Sequence, residues 1–200
     1  MKTTKPYHHG DLARAILSAA VAVITESGPE RLSMRDLARR AGVSHAAPAH
    51  HFGDKAGLLT ALATQGFELL AEALDAEQQR SGDFLEVGVA YVRFAVDHRA
   101  HFEVMFRPDL YRAGDTGVVA ARQRATNALY GGVENMPSEQ RGDRDVHVGG
   151  VAAWSLVHGF ATLWLNNALP PWLGEDPEAA ARDIARLLFS SPSSEPTTGS

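Results

Sequence analysis

Two hundred residues carry 19 Lys and Arg against 24 Asp and Glu, a formal charge of −5, and 44% of the chain is hydrophobic. That length suffices for a packed core in one large or two small domains. The lack of cysteine excludes disulfides and a thiolate-bound zinc. No apolar run reads as a membrane span, and no basic-then-apolar leader precedes Tyr7, so the sequence predicts a cytoplasmic protein.

The first element is an amphipathic helix. Tyr7 to Asp11 lead into Leu12, Ile16, Ala19, Ala20, Val23 and Ile24 at helical spacing, and Ser27-Gly28-Pro29 ends the run. Ser33 then caps a short helix, with Asp36 placed to answer its backbone N–H. Leu37, Ala38 and Ala41 form the apolar stripe, Gly42 stops the helix, Val43 plugs the corner and Ser44 caps a second short helix. Two short helices joined by a tight glycine turn make a helix-turn-helix, whose second helix fits the DNA major groove. Asp54 caps the next helix, and Lys55 in its first turn offers a phosphate site beside the helix N-terminus.

Further helices are expected over 55–80, 84–98, 100–106, 118–131, 146–168 and 177–190. Ser81-Gly82-Asp83, Arg107-Pro108 and Pro170-Pro171 break them, and the polar stretch at 131–145 reads as a mobile loop. Asp176-Pro177 starts the last helix, and residues 191–200 lack core-forming side chains and read as a disordered tail. No strand pattern competes. The expected fold is all-α, with a helix-turn-helix DNA-binding head at 1–54 and a larger helical body at 55–190.

Charge follows the same division. Residues 1–60 hold eight basic against five acidic side chains, a balance of +3, while the remainder carries −8. Five of the nine histidines also fall in the first 60 residues. Phosphate attraction acts over about 8–10 Å, so a basic head can work on an acidic body. Ser44, His45, Ala46 and Ala47 form the first turn of the recognition helix. There the alanines permit close approach, and His45 offers a hydrogen bond to a base edge. Lys55, Tyr7 and His51 suit phosphates, although His51 reads equally as a packing residue beside Phe52. Ser33 and His50 complete the DNA-facing set.

The succession of a helix, SGPERLSMRDLARRAGVS, a short helix, HHFGDKAGLL and a long helix resembles the TetR/AcrR-type one-component transcriptional regulators. Downstream, Trp154-Ser155-Leu156-Val157-His158-Gly159 resembles the Trp…His-Gly signature of one C-terminal class in that family. The resemblance implies a homodimer in which a small molecule, bound in the C-terminal domain, alters the spacing of two DNA-reading heads. It makes the body at 55–190 the effector-binding and dimerisation domain. Two residues depart from the pattern. Pro48 falls early in the recognition helix, and Ala49 stands where such proteins often carry a phosphate-contacting tyrosine; together they imply a short helix with modest backbone grip.

In the body, Tyr91, Phe94, Phe102, Met105, Phe106, Tyr111, Trp154, His158 and Trp164 are expected to converge on an effector pocket. Individually, each fits ordinary core as well. His158 reads either as a satisfied core histidine or as a polar handle on the ligand. The lining has no Arg or Lys cluster, which favours a hydrophobic effector over a phosphorylated one. Leu156, Phe160 and Leu163, with Ile184, Leu187 and Leu188 of the final helix, form the expected homodimer interface.

No histidine pattern fits a metal enzyme, and no nucleophile motif or phosphate-cradling loop occurs, so neither catalysis nor a cofactor is expected. The sequence predicts a ligand-responsive regulator binding a double-stranded DNA operator, a repressor released by its effector. The alternatives are a ligand-sensing activator, or a helical small-molecule-binding protein with weakened DNA binding.

Overall fold

The computed structural model describes residues 9–134 and 146–189. Among them are nine α-helices and no strand. They are α1 (His9–Ser27), α2 (Met34–Arg40), α3 (Ala47–Phe52), α4 (Lys55–Ser81), α5 (Phe84–Asp97), α6 (Arg99–Met105), α7 (Thr116–Glu134), α8 (Val146–Leu165) and α9 (Pro177–Phe189). Short 3-10 turns at Pro29–Arg31 and Pro171–Leu173 precede α2 and α9. The expected helices are all present, with shifted ends. The last helical turn of α7 reaches Glu134, beyond the expected stop. α8 ends at Leu165 because Asn167 takes a left-handed φ of 53°, short of the expected residue 168. Tyr7, most of the predicted loop and the 191–200 tail lie outside the described residues.

The chain forms two compact units, Met1–Ala71 with Asp97–Ala125, and Glu72–Val96 with Thr126–Ser200. The expected boundary at residue 54 does not coincide with this division. Packing explains why: α6 lies on α1, and the segment after α6 is tied to the head by ion pairs from Arg107 to Glu30 and from Arg112 to Asp54. In the first unit Ile16, Ile24, Leu37, Leu58 and Leu62 are almost fully buried. Arg40 bridges α2 to α1 through Glu26 at 3.0 Å.

In the second unit, α5 contributes Val87, Val89, Tyr91 and Val92 to the core. Two forked pairs fasten α9 to α5: Arg93 donates to both Glu178 oxygens at 2.7 Å, and Arg182 to both Glu86 oxygens at 2.7 and 2.8 Å. α8 buries Ala153, Val157, Phe160 and Ala161, but leaves Val148, Val151 and Leu163 exposed by 66%, 46% and 46%. Contrary to the sequence expectation, its stretch His147–Leu165 is long and apolar enough to cross a membrane by length and composition, with mean hydropathy 1.4.

Candidate DNA interface and effector site

The corner between α2 and α3 forms as its residues require. Gly42 adopts φ 66°, a conformation costly for any side chain, and the Val43 N–H closes onto the Ala38 carbonyl at 3.0 Å. The caps differ from expectation. Ser33 stands at the α2 N-terminus without a side-chain cap bond, and Asp36 turns to Arg39 and Arg40 instead. A nearby guanidinium outcompetes a solvent-exposed backbone N–H for the carboxylate. Ser44 likewise makes no side-chain cap. Its carbonyl accepts the Ala47 N–H at 3.0 Å, and Ala46 becomes the N-cap of an α3 that starts later than predicted.

That later start divides the predicted reading residues. Ser44, His45, Ala46 and His50 are exposed, and so is Ala49. Ala47, expected to face DNA, is buried together with Pro48. Pro48 occupies the first turn, where a missing N–H costs no helical bond. The outward-facing residues are therefore His45 and Ala46 in the turn that leads into α3, and Ala49 and His50 on α3 itself. The half-buried His51 has its ring 6.2 Å from Phe52, beside which packing was expected, and 5.6 Å from His50.

At the start of α4 the Asp54 carboxylate accepts the Gly57 N–H at 2.8 Å, as the cap reading required. This bond, with Arg112 beside it, holds the Asp54 carboxyl below its usual range. Lys55 donates from Nζ to the Glu30 carbonyl at 2.9 Å. Both helix-end features that favoured a phosphate are thus engaged within the chain. Sequence reasoning missed two cations: Arg31 and Arg35 are exposed and make no ion pair among the described residues. The basic balance of residues 1–60 was the available signal, but charge alone cannot say which arginines lie in ion pairs.

The nine residues expected around an effector belong to different units. Phe102, Met105, Phe106 and Tyr111 lie in the first, where the Phe102 and Phe106 rings stand 5.2 Å apart and Phe67 approaches Phe106 at 5.9 Å. There Tyr111 donates its hydroxyl proton to the Met105 carbonyl at 2.8 Å. Tyr91, Phe94, Trp154, His158 and Trp164 lie in the second unit. Helical periodicity identifies a buried face without revealing which neighbour covers it.

Within the second unit the polar atoms form one chain. The Trp154 indole N–H donates to the Tyr91 hydroxyl at 3.2 Å, and that hydroxyl lies 2.9 Å from His158 Nδ1. Having accepted one proton, the Tyr91 oxygen gives its own to Nδ1, which assigns the neutral ring its proton at Nε2. Burial raises the Tyr91 pKa and lowers that of His158, keeping both neutral. His158 thus has a partner for Nδ1 within its own unit. The spacing of four residues puts the Trp154 and His158 rings 5.9 Å apart. Of the expected dimer residues, Leu163 is exposed and Leu156 and Ile184 are half-buried. Phe160 is turned into its own unit, where it stacks on Trp164 at 5.8 Å. The side chains of Leu187 and Leu188 lie outside the described residues.

Residues 84–188 match the family described as "Tetracyclin repressor-like, C-terminal domain", and residues 16–62 match "Bacterial regulatory proteins, tetR family". The chain belongs to the TetR family. It is a DNA-binding regulator of transcription. Among TetR regulators, it is 29% identical over 170 residues to the HTH-type transcriptional regulator BetI of Klebsiella pneumoniae (strain 342), covering 78% of this chain and 82% of that protein. A solved protein of unknown function from Rhodococcus sp. RHA1 superposes with a TM-score of 0.77 at 31% identity, covering 93% and 97% of the two chains. The TetR regulator PfmR from Thermus thermophilus follows with a TM-score of 0.67 at 25% identity over 87% and 96%.

Proposed function

We propose that this TetR-family protein is a cytoplasmic homodimeric repressor that leaves its operator when a small apolar effector binds the C-terminal domain. The observation that carries the reading is the outward face of α3. His45 and Ala46 in the turn before α3, and Ala49 and His50 on α3 itself, stand clear of the core just beyond the Gly42 corner. His45 and His50 read base edges, while Ala46 and Ala49 let the backbone approach and meet thymine methyls. Arg31, Arg35 and Lys55 hold phosphates and set register without reading sequence. Ser33, exposed at the start of α2, serves the same contact set.

Effector binding belongs, in this reading, to the second unit, where the Trp154–Tyr91–His158 chain sits among apolar side chains. A few oriented polar groups in an apolar surround suit a weakly polar organic ligand. The response travels along the backbone: α4 and α7 each contribute residues to both units, so any change they undergo is felt on both sides. To shift DNA occupancy the effector must prefer one state, and typical couplings are about 1–3 kcal/mol.

The test is footprinting of the purified protein on the DNA upstream of its own gene, with transcription from that DNA measured with and without the protein. A protected two-fold symmetric site with reduced transcription is expected, and increased transcription would identify an activator instead. No protection at low salt would overturn the DNA-binding reading.

A further inference from the structure

Carboxylates on a DNA-facing surface repel phosphate, so the partner of each one bears on binding. Among the described side chains of residues 1–60 the acidic ones are Glu26, Glu30, Asp36 and Asp54, and each is held by arginine. Arg39 and Arg40, from the head itself, take Asp36 and Glu26. Glu30 and Asp54 differ. Their partners, Arg107 and Arg112, come from the segment between α6 and α7, 77 and 58 residues further along the chain.

These two carboxylates flank the cations assigned to phosphate. Glu30 precedes Arg31, Asp54 precedes Lys55, and the Lys55 Nζ donates to the Glu30 carbonyl at 2.9 Å. Both groups stay ionised at neutral pH. The Arg107 hydrogen bond holds the Glu30 carboxyl below its usual range, and the Gly57 N–H does the same for Asp54. Uncovered, each would set a full negative charge within about a Debye length, 8–10 Å, of a phosphate that Lys55 holds.

The segment that supplies the arginines is firmly placed within its own unit. Tyr111 is buried and donates its hydroxyl proton to the Met105 carbonyl at 2.8 Å. The Arg112 backbone N–H donates to Thr60 Oγ1 at 3.0 Å, and Thr60 in turn donates to the Ala56 carbonyl at 2.7 Å. Arg112 Nη2 then reaches the two Asp54 oxygens at 3.0 and 2.8 Å. Gly57 keeps the space open: a Cβ there would stand 2.6 Å from Arg112 Nη1 and 1.9 Å from the Phe52 carbonyl oxygen. Arg107 is less committed, since it also holds Asp109 at 3.2 Å. An exposed ion pair adds little to folding stability, so stability alone does not account for Arg112.

We infer that Arg112, with Arg107 in a lesser part, is a positioning residue that promotes DNA binding without touching DNA: its guanidinium masks the Asp54 carboxylate beside Lys55. The inference rests on the reading of Lys55 as a phosphate contact. The experiment is fluorescence anisotropy of the full-length protein on a duplex from upstream of its own gene and on an unrelated duplex of equal length. It compares wild type, Arg112→Gln, Asp54→Asn and the double variant Asp54→Asn/Arg112→Gln, with helicity and melting temperature recorded for each. Asparagine keeps the cap on the Gly57 N–H while discarding the charge.

Arg112→Gln is expected to weaken binding to both duplexes about five-fold, the effect in water of one unit charge a few ångströms from a phosphate. The double variant should return to wild-type affinity, because the carboxylate that needed masking is gone. Asp54→Asn alone releases the Arg112 charge and should tighten both complexes. Arg107→Gln should give a smaller loss that Glu30→Gln reverses. A double variant as weak as Arg112→Gln would overturn the inference, since Arg112 would then meet phosphate itself or act as a structural tie. Weaker binding by Asp54→Asn, or unchanged binding by Arg112→Gln, would overturn it as well. A wild type that binds neither duplex at low salt would overturn the DNA-binding reading and this inference with it.

Discussion

His101 shows how one buried atom sets a pH response. Its ring is 6% exposed, its Nε2 lies 3.2 Å from the Gln65 side-chain oxygen, and its Nδ1 has no hydrogen-bond partner among the described residues. Burial, aided by His98 nearby, lowers its pKa from 6.5 to about 4. Between those values the unfolded chain holds the proton and the folded chain does not, so stability rises with pH across the window. The contribution is fully present above pH 6.5 and is lost as pH falls toward 4, an amount of order 3 kcal/mol. Thermal denaturation of His101→Gln over about pH 4–7 should give a flatter stability curve than wild type; an equally steep one would remove the assignment.

At the same scale, the arginines and His45 separate grip from reading. Arg35→Ala should weaken all operator sequences alike and reduce the salt slope by about 0.9, as one lost phosphate contact does. His45→Ala should instead change the ranking among operator variants. Lys55→Ala should weaken binding less than Arg35→Ala, because its ammonium must leave the Glu30 carbonyl to meet a phosphate. Fluorescence anisotropy over a salt series separates these outcomes, and a larger loss from Lys55→Ala would reverse the order.

Elements were legible where periodicity and punctuation agree. The Gly42 corner, the Asp54 cap and the Pro177 start of α9 all form where the sequence placed them. Cap chemistry was less legible. Asp36 and Ser44 have competent side chains, yet Arg39 and Arg40 engage Asp36 and the later start of α3 takes the cap away from Ser44, and neither effect shows in the local pattern. Between elements, the α5–α9 pairs invite a charge swap. Glu86→Arg should lower stability by about 1–3 kcal/mol by leaving Arg182 facing a like charge in a partly buried site. The double variant Glu86→Arg/Arg182→Glu should recover much of that loss in denaturant titrations, whereas additive losses would show that the pair is uncoupled.

For the whole molecule, the exposed apolar face of α8 is where the proposed homodimer is tested. A helix apolar on all sides is stable in water only if its outer face finds cover, and Val151 and Leu163 are each 46% exposed. Leu163→Asp and Val151→Asp should therefore yield monomers in sedimentation. Operator affinity should fall by about 100-fold or more in those variants, because two linked heads bind through effective concentration. Monomers with unchanged affinity would show that a single head suffices.

Sequence alone determined the all-α class, the head corner, the helix succession and the unequal charge of the two ends, because each depends on residues close together along the chain. Only the tertiary structure decided which face each helix shows. It turned Ala47 and Phe160 inward, left Arg31 and Arg35 without ion partners among the described residues, distributed the nine aromatic-rich positions between two units and joined Tyr91, Trp154 and His158. Those outcomes depend on contacts between residues 60 or more apart in the chain, or on the competing partners a folded surface supplies, and neither is written into a local period.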